Sequence, residues 1–307
     1  MAQKAGLYAA AGLTVSLRSA DAGDGTTPAR QVAQRLAHFA VAPSESAVSF
    51  ATTEPDKPRL VAVAALLQGS ASAICTLKSS GIDRPAKLAG KRYASYNGRF
   101  EDPIVSQMVS NDGGDGKCVQ FHGLDAHAYQ DGDTMGAGSV VASYLEKGKS
   151  DSTWIFPAWE GILAERAGQQ LHCFALEDYG IPYGYSPVLL AHPDDLVEPR
   201  AEKVKAFLTA TAEGYKMAAA KPSEAAEALR SSGHASLTDA SFVEASSAYI
   251  AKEFLTSDGQ WGVMQPKRWS DFVDFLCASG IIRNRAGEPI PRDAVEAETL
   301  FTNRFLP

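Results

Sequence analysis

Short apolar runs, separated by turn residues and amphipathic segments, are the feature that most constrains the fold of this chain. Residues 60–67 and 72–77 are apolar along nearly their whole length, which is typical of strands buried on both faces. Further strands are predicted at residues 13–17, 39–42, 91–95, 118–121, 152–156, 171–175 and 188–192. From residue 198 onward, apolar residues recur at i, i+3 and i+4, which is typical of amphipathic helices. The pattern predicts an α/β fold with a largely helical C-terminal third.

Length and charge limit the class of protein. At 307 residues the chain is too long for one small core and suits two domains or one large α/β domain. The net charge of −7, without a basic tract, argues against nucleic acid or an anionic membrane as the main partner. No apolar run approaches the roughly 18 residues of a membrane-spanning helix, so none is predicted.

The N-terminal residues bear on location. Residues 1–13, MAQKAGLYAAAGL, lack the long apolar stretch and small-residue cleavage site of a secretory signal. As written, the chain is expected in the cytoplasm. If the N-terminus is truncated, a periplasmic location is the alternative.

The cysteines show no metal or disulfide pattern. They are far apart and lack the CxxC or Cys/His spacing of a zinc site. We therefore expect scattered buried thiols and no metal. The four residues are Cys75, Cys118, Cys173 and Cys277.

A cluster of aromatic and acidic residues lies between residues 154 and 187. Its segments WIFPAWEG and DYGIPYGYSP are interrupted by Pro and Gly, so their rings cannot follow the regular spacing of a buried face. Aromatic faces and carboxylates on loops suit a planar heterocyclic or cationic ligand. An aromatic-rich edge of the core is the alternative. The candidate ligand contacts are Trp154, Trp159, Glu160, Asp178, Tyr183 and Tyr185.

Two further candidate loops follow predicted strands, at the strand end where open α/β sheets bind ligands. After residues 39–42, Ser44, Glu45 and Ser46 offer hydroxyls, a carboxylate and free helix amides. Ser44 as a simple helix N-cap is the alternative. After residues 91–95, a second loop precedes a helix predicted from residue 104, and an ordinary strand-to-helix turn is its alternative. Its candidate residues are Tyr96, Asn97, Gly98, Arg99 and Glu101.

Several segments together carry a family resemblance. KAGLYAAAGLTVSL, FAVAPSES, SYNGRFEDPIV, WEGILAE and DYGIPYGYSPVLLA resemble the thiamine pyrimidine synthase-like and SsuA-type substrate-binding proteins of ABC transporters. The resemblance implies a type II periplasmic-binding-protein fold of two α/β lobes with ligand in the cleft between them. It further implies that residues 1–90 and 190–307 form lobe I and residues 91–189 form lobe II. Family members begin with a strand that is missing here.

Departures from the family bear on catalysis. The resemblance extends to fungal enzymes of thiamine pyrimidine synthesis, in which a Lys holds pyridoxal phosphate, a His is consumed as an atom donor and a Cys-rich motif binds iron. Residues 41–46 (VAPSES) contain neither Lys nor His, and residues 179–185 (YGIPYGY) replace the Cys-rich run. Binding without that catalysis, and without a cofactor, is therefore expected. The Gly98–Arg99 turn is expected to retain the ability to hold an anion.

The predicted function is binding of a thiamine pyrimidine precursor of the aminopyrimidine or hydroxymethylpyrimidine type, as a solute receptor with an ABC transporter permease as partner. The four rings would sandwich the pyrimidine, and Glu45, Glu160 and Asp178 would accept hydrogen bonds from its nitrogens. The acidic lining disfavours a sulfonate. The alternative is a hydroxymethylpyrimidine phosphate synthase-type enzyme with pyridoxal phosphate and iron, its lysine being Lys78 or Lys91.

Overall fold

A computed structural model describes residues 1–18, 26–53, 57–124 and 140–307. The chain divides into two compact units. Unit 1 comprises Met1–Gly69, Gly184–Ala225 and Ala251–Pro307; unit 2 comprises Ser70–Tyr183 and Ala226–Ile250. These divisions fall after Gly69, Tyr183, Ala225 and Ile250. The lobe boundaries that the resemblance implies, after residues 90 and 189, stay a prediction.

The strands and helices alternate through the first two thirds of the chain. The strands are β1 (Phe39–Ala42), β2 (Val61–Ala65), β3 (Ala73–Leu77), β4 (Arg92–Ser95), β5 (Gln120–Gly123), β6 (Ser152–Ile155), β7 (Leu171–Phe174) and β8 (Val188–Ala191). The helices are α1 (Leu7–Ala10), α2 (Pro28–Ala33), α3 (Ser44–Thr52), α4 (Glu101–Asn111), α5 (Ile162–Arg166), α6 (Ala201–Ala220), α7 (Pro222–Arg230), α8 (Ala240–Ile250) and α9 (Pro266–Ala278). Two π-helical turns are formed by Val141–Glu146 and Pro157–Gly161.

In unit 1, β8 lies between β1 and β2 and runs antiparallel to both. The uniformly apolar run predicted at residues 60–67 is buried because both faces of β2 are covered: Val63 and Ala64 pack in one cluster with Leu208 of α6 and Trp261. The predicted strand at residues 13–17 forms neither helix nor strand. Leu13 and Val15 instead pack against Tyr8 and Ala210.

In unit 2, the strand order is β5-β4-β6-β3-β7. Strand β4 is parallel to β5 and β6, whereas β3 is antiparallel to β6 and β7. The carboxyl ends of β4, β5 and β6 therefore meet at one edge of the sheet, and the loops beginning at Tyr96 and Phe156 start there. This arrangement places two of the three candidate loops at the same edge.

The expectation of scattered buried thiols is wrong for three of the four cysteines, since two are paired and Cys118 is exposed. Cys75 in β3 lies directly opposite Cys173 in β7, with their Cα atoms 4.4 Å apart, and the two form a disulfide. The residues are 98 positions apart, so only strand pairing brings them together. Of the other two, Cys118 is exposed and Cys277 is partly buried.

Candidate functional site

In unit 1, the predicted loop after β1 is the beginning of helix α3. Pro43, in extended conformation (φ −67°, ψ 154°), occupies the N-cap position, and Ser44 is the first helical residue. The alternative that Ser44 is the N-cap is therefore wrong, because proline already turns the chain into the helix there. The Ser44 amide donates to the Tyr185 carbonyl (2.9 Å), which attaches the helix start to the segment before β8.

The Ser44 hydroxyl is buried and makes no hydrogen bond within the part of the chain that the structure describes. The residue is 0% exposed, and among the described residues its Oγ has no hydrogen-bond partner. Gly184 lies against it, since a Cβ there would overlap Ser44 Oγ and come within 2.7 Å of the Phe272 ring. Buried hydroxyls are almost always hydrogen-bonded, so this one requires an explanation, and a ligand that bonds it would supply one.

Glu45 and Ser46 lie beside Ser44 in the first turn of α3. Glu45 is buried and Ser46 is half-buried. The helix dipole favours a carboxylate at this position. The structure thus brings the three predicted residues together within one helical turn.

In unit 2, the loop after β4 is held by its own side chains. Ser95 Oγ accepts from the Asn97 amide (3.0 Å) and donates to Asp102 Oδ1 (2.6 Å). Asn97 has a φ of 56°, in the left-handed region that asparagine tolerates better than most residues. Its side-chain amide rests on Gly123 at the end of β5, where a Cβ would lie 2.7 Å from Nδ2.

Glu101 lies beneath this loop. It is 6% exposed; its Oε1 accepts from the Tyr93 hydroxyl (3.0 Å) and the Tyr96 amide (3.2 Å), and its Oε2 accepts from the Gly98 amide (3.0 Å). Burial raises the pKa of the Glu101 carboxyl, and these hydrogen bonds oppose that rise. Both oxygens are thus used within the chain. The Gly98 amide, one of the groups expected to hold an anion, therefore donates to the Glu101 carboxylate instead. The part of that expectation that concerns Arg99 stays a prediction.

The four predicted aromatic contacts have separate partners. Trp154 and Tyr183 pack edge to face in unit 2, with their centroids 5.6 Å apart. The Trp159 ring instead stands perpendicular to Phe242 of α8 at 4.7 Å. Within unit 2, the Trp159 ring is thus packed against a helix, whereas Trp154 and Tyr183 pack against each other.

Tyr185 lies in unit 1 and is only 2% exposed. Its hydroxyl accepts from the Gln265 amide (2.8 Å), and the Arg268 guanidinium lies 4.3 Å above its ring. Both the polar end and the face of this tyrosine are used inside unit 1. The residue acts as a support for the chain around Gly184.

The predicted acidic contacts differ in their surroundings. Glu160 is buried and its Oε2 accepts from the Phe156 amide (3.0 Å), which caps the helical turn at Pro157–Gly161; burial raises the pKa of its carboxyl. Asp178 is exposed. The adjacent Tyr179 carbonyl accepts from Asn111 at the end of α4 (2.9 Å). An eleven-residue helix is about 16 Å long, so Asp178 lies near the opposite end of α4 from the Gly98 loop.

The two lysines considered for pyridoxal phosphate are both exposed and lie away from the candidate loops. Lys78 follows β3, whose carboxyl end is at the amino edge of β4, and Lys91 immediately precedes β4. In the described ranges, no group of three or more His, Cys, Asp or Glu residues is placed to hold a metal ion.

Arg268 is a residue that the sequence did not single out. Its guanidinium donates to the Gln68 carbonyl (2.6 Å) and to the Gly184 carbonyl (3.0 Å) while stacking on Tyr185. Gln68 and Gly184 lie at two of the four positions at which the chain passes between the units. An arginine on an amphipathic helix looks like any solvated charge, so no local signal reveals this contact.

The architecture is that of the periplasmic binding proteins. A solved protein from Bordetella bronchiseptica RB50 superposes with a TM-score of 0.67 at 18% identity, covering 99% of this chain and 89% of that one. The alkanesulfonate-binding protein SsuA from Xanthomonas axonopodis pv. citri, bound to MOPS, gives a TM-score of 0.60 at 13% identity, covering 87% and 83%. At such identities these likenesses establish the fold alone.

The family follows from the sequence. The profile described as "NMT1/THI5 like" matches residues 1–225, and the chain belongs to this family. The formylaminopyrimidine-binding protein of Halalkalibacterium halodurans is 25% identical over 224 residues, which is 71% of this chain and 63% of that protein. This chain therefore spans less than two thirds of its curated relative. The predicted family resemblance and α/β fold class are confirmed. Among the described helices, none has the length and apolarity needed to cross a membrane.

Proposed function

We propose that the chain binds a pyrimidine of the formylaminopyrimidine or hydroxymethylpyrimidine type as the solute-binding component of an importer. The observation that carries the proposal is the buried Ser44 hydroxyl, which lacks a partner in the described chain, beside buried Glu45 at the carboxyl end of β1. A hydroxyl can donate to a ring nitrogen, and a carboxylate can accept from an exocyclic amino group. The relative that binds formylaminopyrimidine supports this choice of ligand class.

Unit 2 supports the same ligand class. Trp154 and Tyr183 form an aromatic pair next to Phe156, which follows β6 and is 44% exposed. Aromatic rings stabilise a flat heterocycle by stacking. Within unit 2, we propose that Trp154, Tyr183 and Asn97 are pyrimidine contacts, whereas Glu101 and Trp159 position the residues of that unit. In unit 1, Tyr185 supports the chain around Gly184.

The disulfide supports an extracytoplasmic location. Structural disulfides persist in oxidising compartments such as the periplasm and are rare in the cytosol. The Cys75–Cys173 bond lies between two strands of one sheet, where it joins β3 to β7. We therefore favour the periplasmic alternative over the cytoplasmic one, with an ABC transporter permease as partner.

Calorimetric titration tests the proposal. The purified protein is titrated with a formylaminopyrimidine, with hydroxymethylpyrimidine and with an alkanesulfonate. We expect saturable binding of at least one pyrimidine at micromolar concentration and none of the sulfonate. Binding of the sulfonate alone, or no heat with either pyrimidine at millimolar concentration, would contradict it.

The enzyme alternative is tested separately with pyridoxal phosphate. Because Lys78 and Lys91 lie away from the candidate loops, we expect no aldimine absorbance and no lysine adduct after borohydride reduction. A trapped adduct at one lysine would favour the enzyme.

A further inference from the structure

The junction between β4 and α4 has the geometry of an anion-binding loop. The strand ends at Ser95, five residues follow, and an eleven-residue helix begins at Glu101. Backbone amides at such a junction, together with the helix N-terminus, ordinarily point towards a bound phosphate, sulfate or carboxylate. The use of these amides here decides whether an external anion can bind.

In this chain the amides are already paired with acidic or acid-linked side chains. The Tyr96 and Gly98 amides donate to the Glu101 carboxylate, and the Asn97 amide donates to Ser95, whose hydroxyl donates to Asp102. The fit is close, because a Cβ at Gly98 would come within 3.0 Å of Glu101 Oε2. The loop therefore contains its own anion.

We propose that Glu101 is a specificity-determining residue that excludes phosphorylated and sulfonated ligands from this loop. An incoming anion would find the amides of residues 96–98 already bonded and would meet the carboxylates of Glu101 and Asp102. The exposed Arg99 side chain carries a positive charge in this loop. An anion attracted by it would still not receive hydrogen bonds from the amides of residues 96–98, which already donate to Glu101 and Ser95. The inference rests on the proposed function, and it narrows the ligand to an unphosphorylated pyrimidine.

The first test compares two ligands that differ by one phosphoryl group. Wild-type protein is titrated with hydroxymethylpyrimidine and with its phosphate ester. We expect the ester to bind at least about tenfold more weakly, a difference of about 1.4 kcal/mol. Equal or tighter binding of the ester would overturn the inference. If neither compound binds and formylaminopyrimidine does not bind either, the proposed function fails. The second test decides the role of Glu101 in every case.

The second test uses inorganic anions and needs no pyrimidine. In Glu101→Ala, the Tyr93 hydroxyl and the Tyr96 and Gly98 amides remain as three converging donors. We expect a lower melting temperature than wild type, which acetate or inorganic phosphate raises by several degrees over chloride at matched ionic strength. Wild type should show no such anion-specific rise.

Glu160→Ala is the matched control, because it removes another buried glutamate, whose hydrogen bonds come from the backbone amides of Phe156 and of Glu160 itself and not from three converging loop donors. It should melt at the same temperature in all three salts. A phosphate-specific rise for wild type, or no rise for a folded Glu101→Ala, would overturn the inference. If Glu101→Ala does not fold, Glu101→Gln replaces it. In Glu101→Gln the side-chain NH₂ group faces the Gly98 amide, and because both are hydrogen-bond donors the variant should be less stable than wild type. It should also bind hydroxymethylpyrimidine and its phosphate ester with similar affinity.

Discussion

Replacement of Ser44 by alanine separates a ligand contact from a structural hydroxyl. In the free protein, Ser44 Oγ is fully buried and, within the described chain, unpaired. An unsatisfied buried polar group costs about 1–3 kcal/mol, and its removal relieves that cost. The void left by one oxygen atom offsets part of the gain. We expect the free energy of unfolding of Ser44→Ala to be unchanged or to rise by up to about 1 kcal/mol.

The effect on binding has the opposite sign. If Ser44 Oγ bonds the pyrimidine, the variant loses a hydrogen bond worth about 0.5–1.5 kcal/mol. That loss corresponds to a rise in Kd of up to about tenfold. A variant that is as stable as wild type or more so, yet binds more weakly, is the signature of a hydroxyl reserved for ligand.

Urea unfolding without ligand and calorimetric titration with a formylaminopyrimidine measure the two quantities. Ser247→Ala is the control, because Ser247 Oγ in α8 is also buried and unpaired in the described chain. It should match Ser44→Ala in its effect on stability and leave Kd unchanged. Destabilisation of Ser44→Ala with no change in Kd would refute the reasoning, since the hydroxyl would then be structural.

Three further outcomes follow from the structure. Cys75→Ser should destabilise the protein by about 2–5 kcal/mol relative to the oxidised wild type; equal urea midpoints for wild type with and without reductant would show that Cys75 and Cys173 are not bonded. Arg268→Lys loses the two carbonyl contacts and the stacking on the Tyr185 ring, so it should lower stability by about 1–3 kcal/mol. The control Lys267→Ala changes an exposed neighbour and should leave stability unchanged. Equal melting temperatures for Arg268→Lys and wild type would contradict the role of Arg268. Because burial raises the pKa of the Glu160 carboxyl, the folded state holds the carboxyl proton more tightly than the unfolded state does, and the resulting stabilisation is lost as pH rises through the raised pKa. Glu160→Gln should therefore reduce the decline of the urea midpoint with pH. An unchanged pH profile in this variant would contradict the prediction.

Much of the fold could be predicted locally. The apolar runs became β2 and β3, and the helical periodicity after residue 198 became α6 to α9, because burial on a regular element leaves its period in the sequence. The loops at Ser44 and Gly98 were also predictable, since a polar turn between a strand and a helix is a short-range pattern. Residues 13–17 show the limit: their alternation suits a strand, yet Leu13 and Val15 pack against α1 and α6 without one.

The roles of individual side chains depended on distant partners. Cys75 meets Cys173 only through the register of β3 and β7, and Trp159 meets Phe242 only because α8 packs in unit 2. Glu101 and Glu160 look like ligand contacts in the sequence, but each folds back onto nearby amides. Asp178 stands in the aromatic segment of the sequence, yet the 177–179 turn meets the end of α4.

The amino-acid order alone therefore determined the α/β class and the positions of the candidate loops, because these depend on patterns within a few residues, and it determined the family through segments spread over residues 1–225. Tertiary structure decided which carboxylates are hydrogen-bonded within the chain and which buried hydroxyls lack a partner among the described residues, since hydrogen bonds and burial depend on neighbours far away in sequence. Ser44 illustrates the division: its place at a helix start is readable locally, but its isolation arises only where Gly184 and Phe272 close around it.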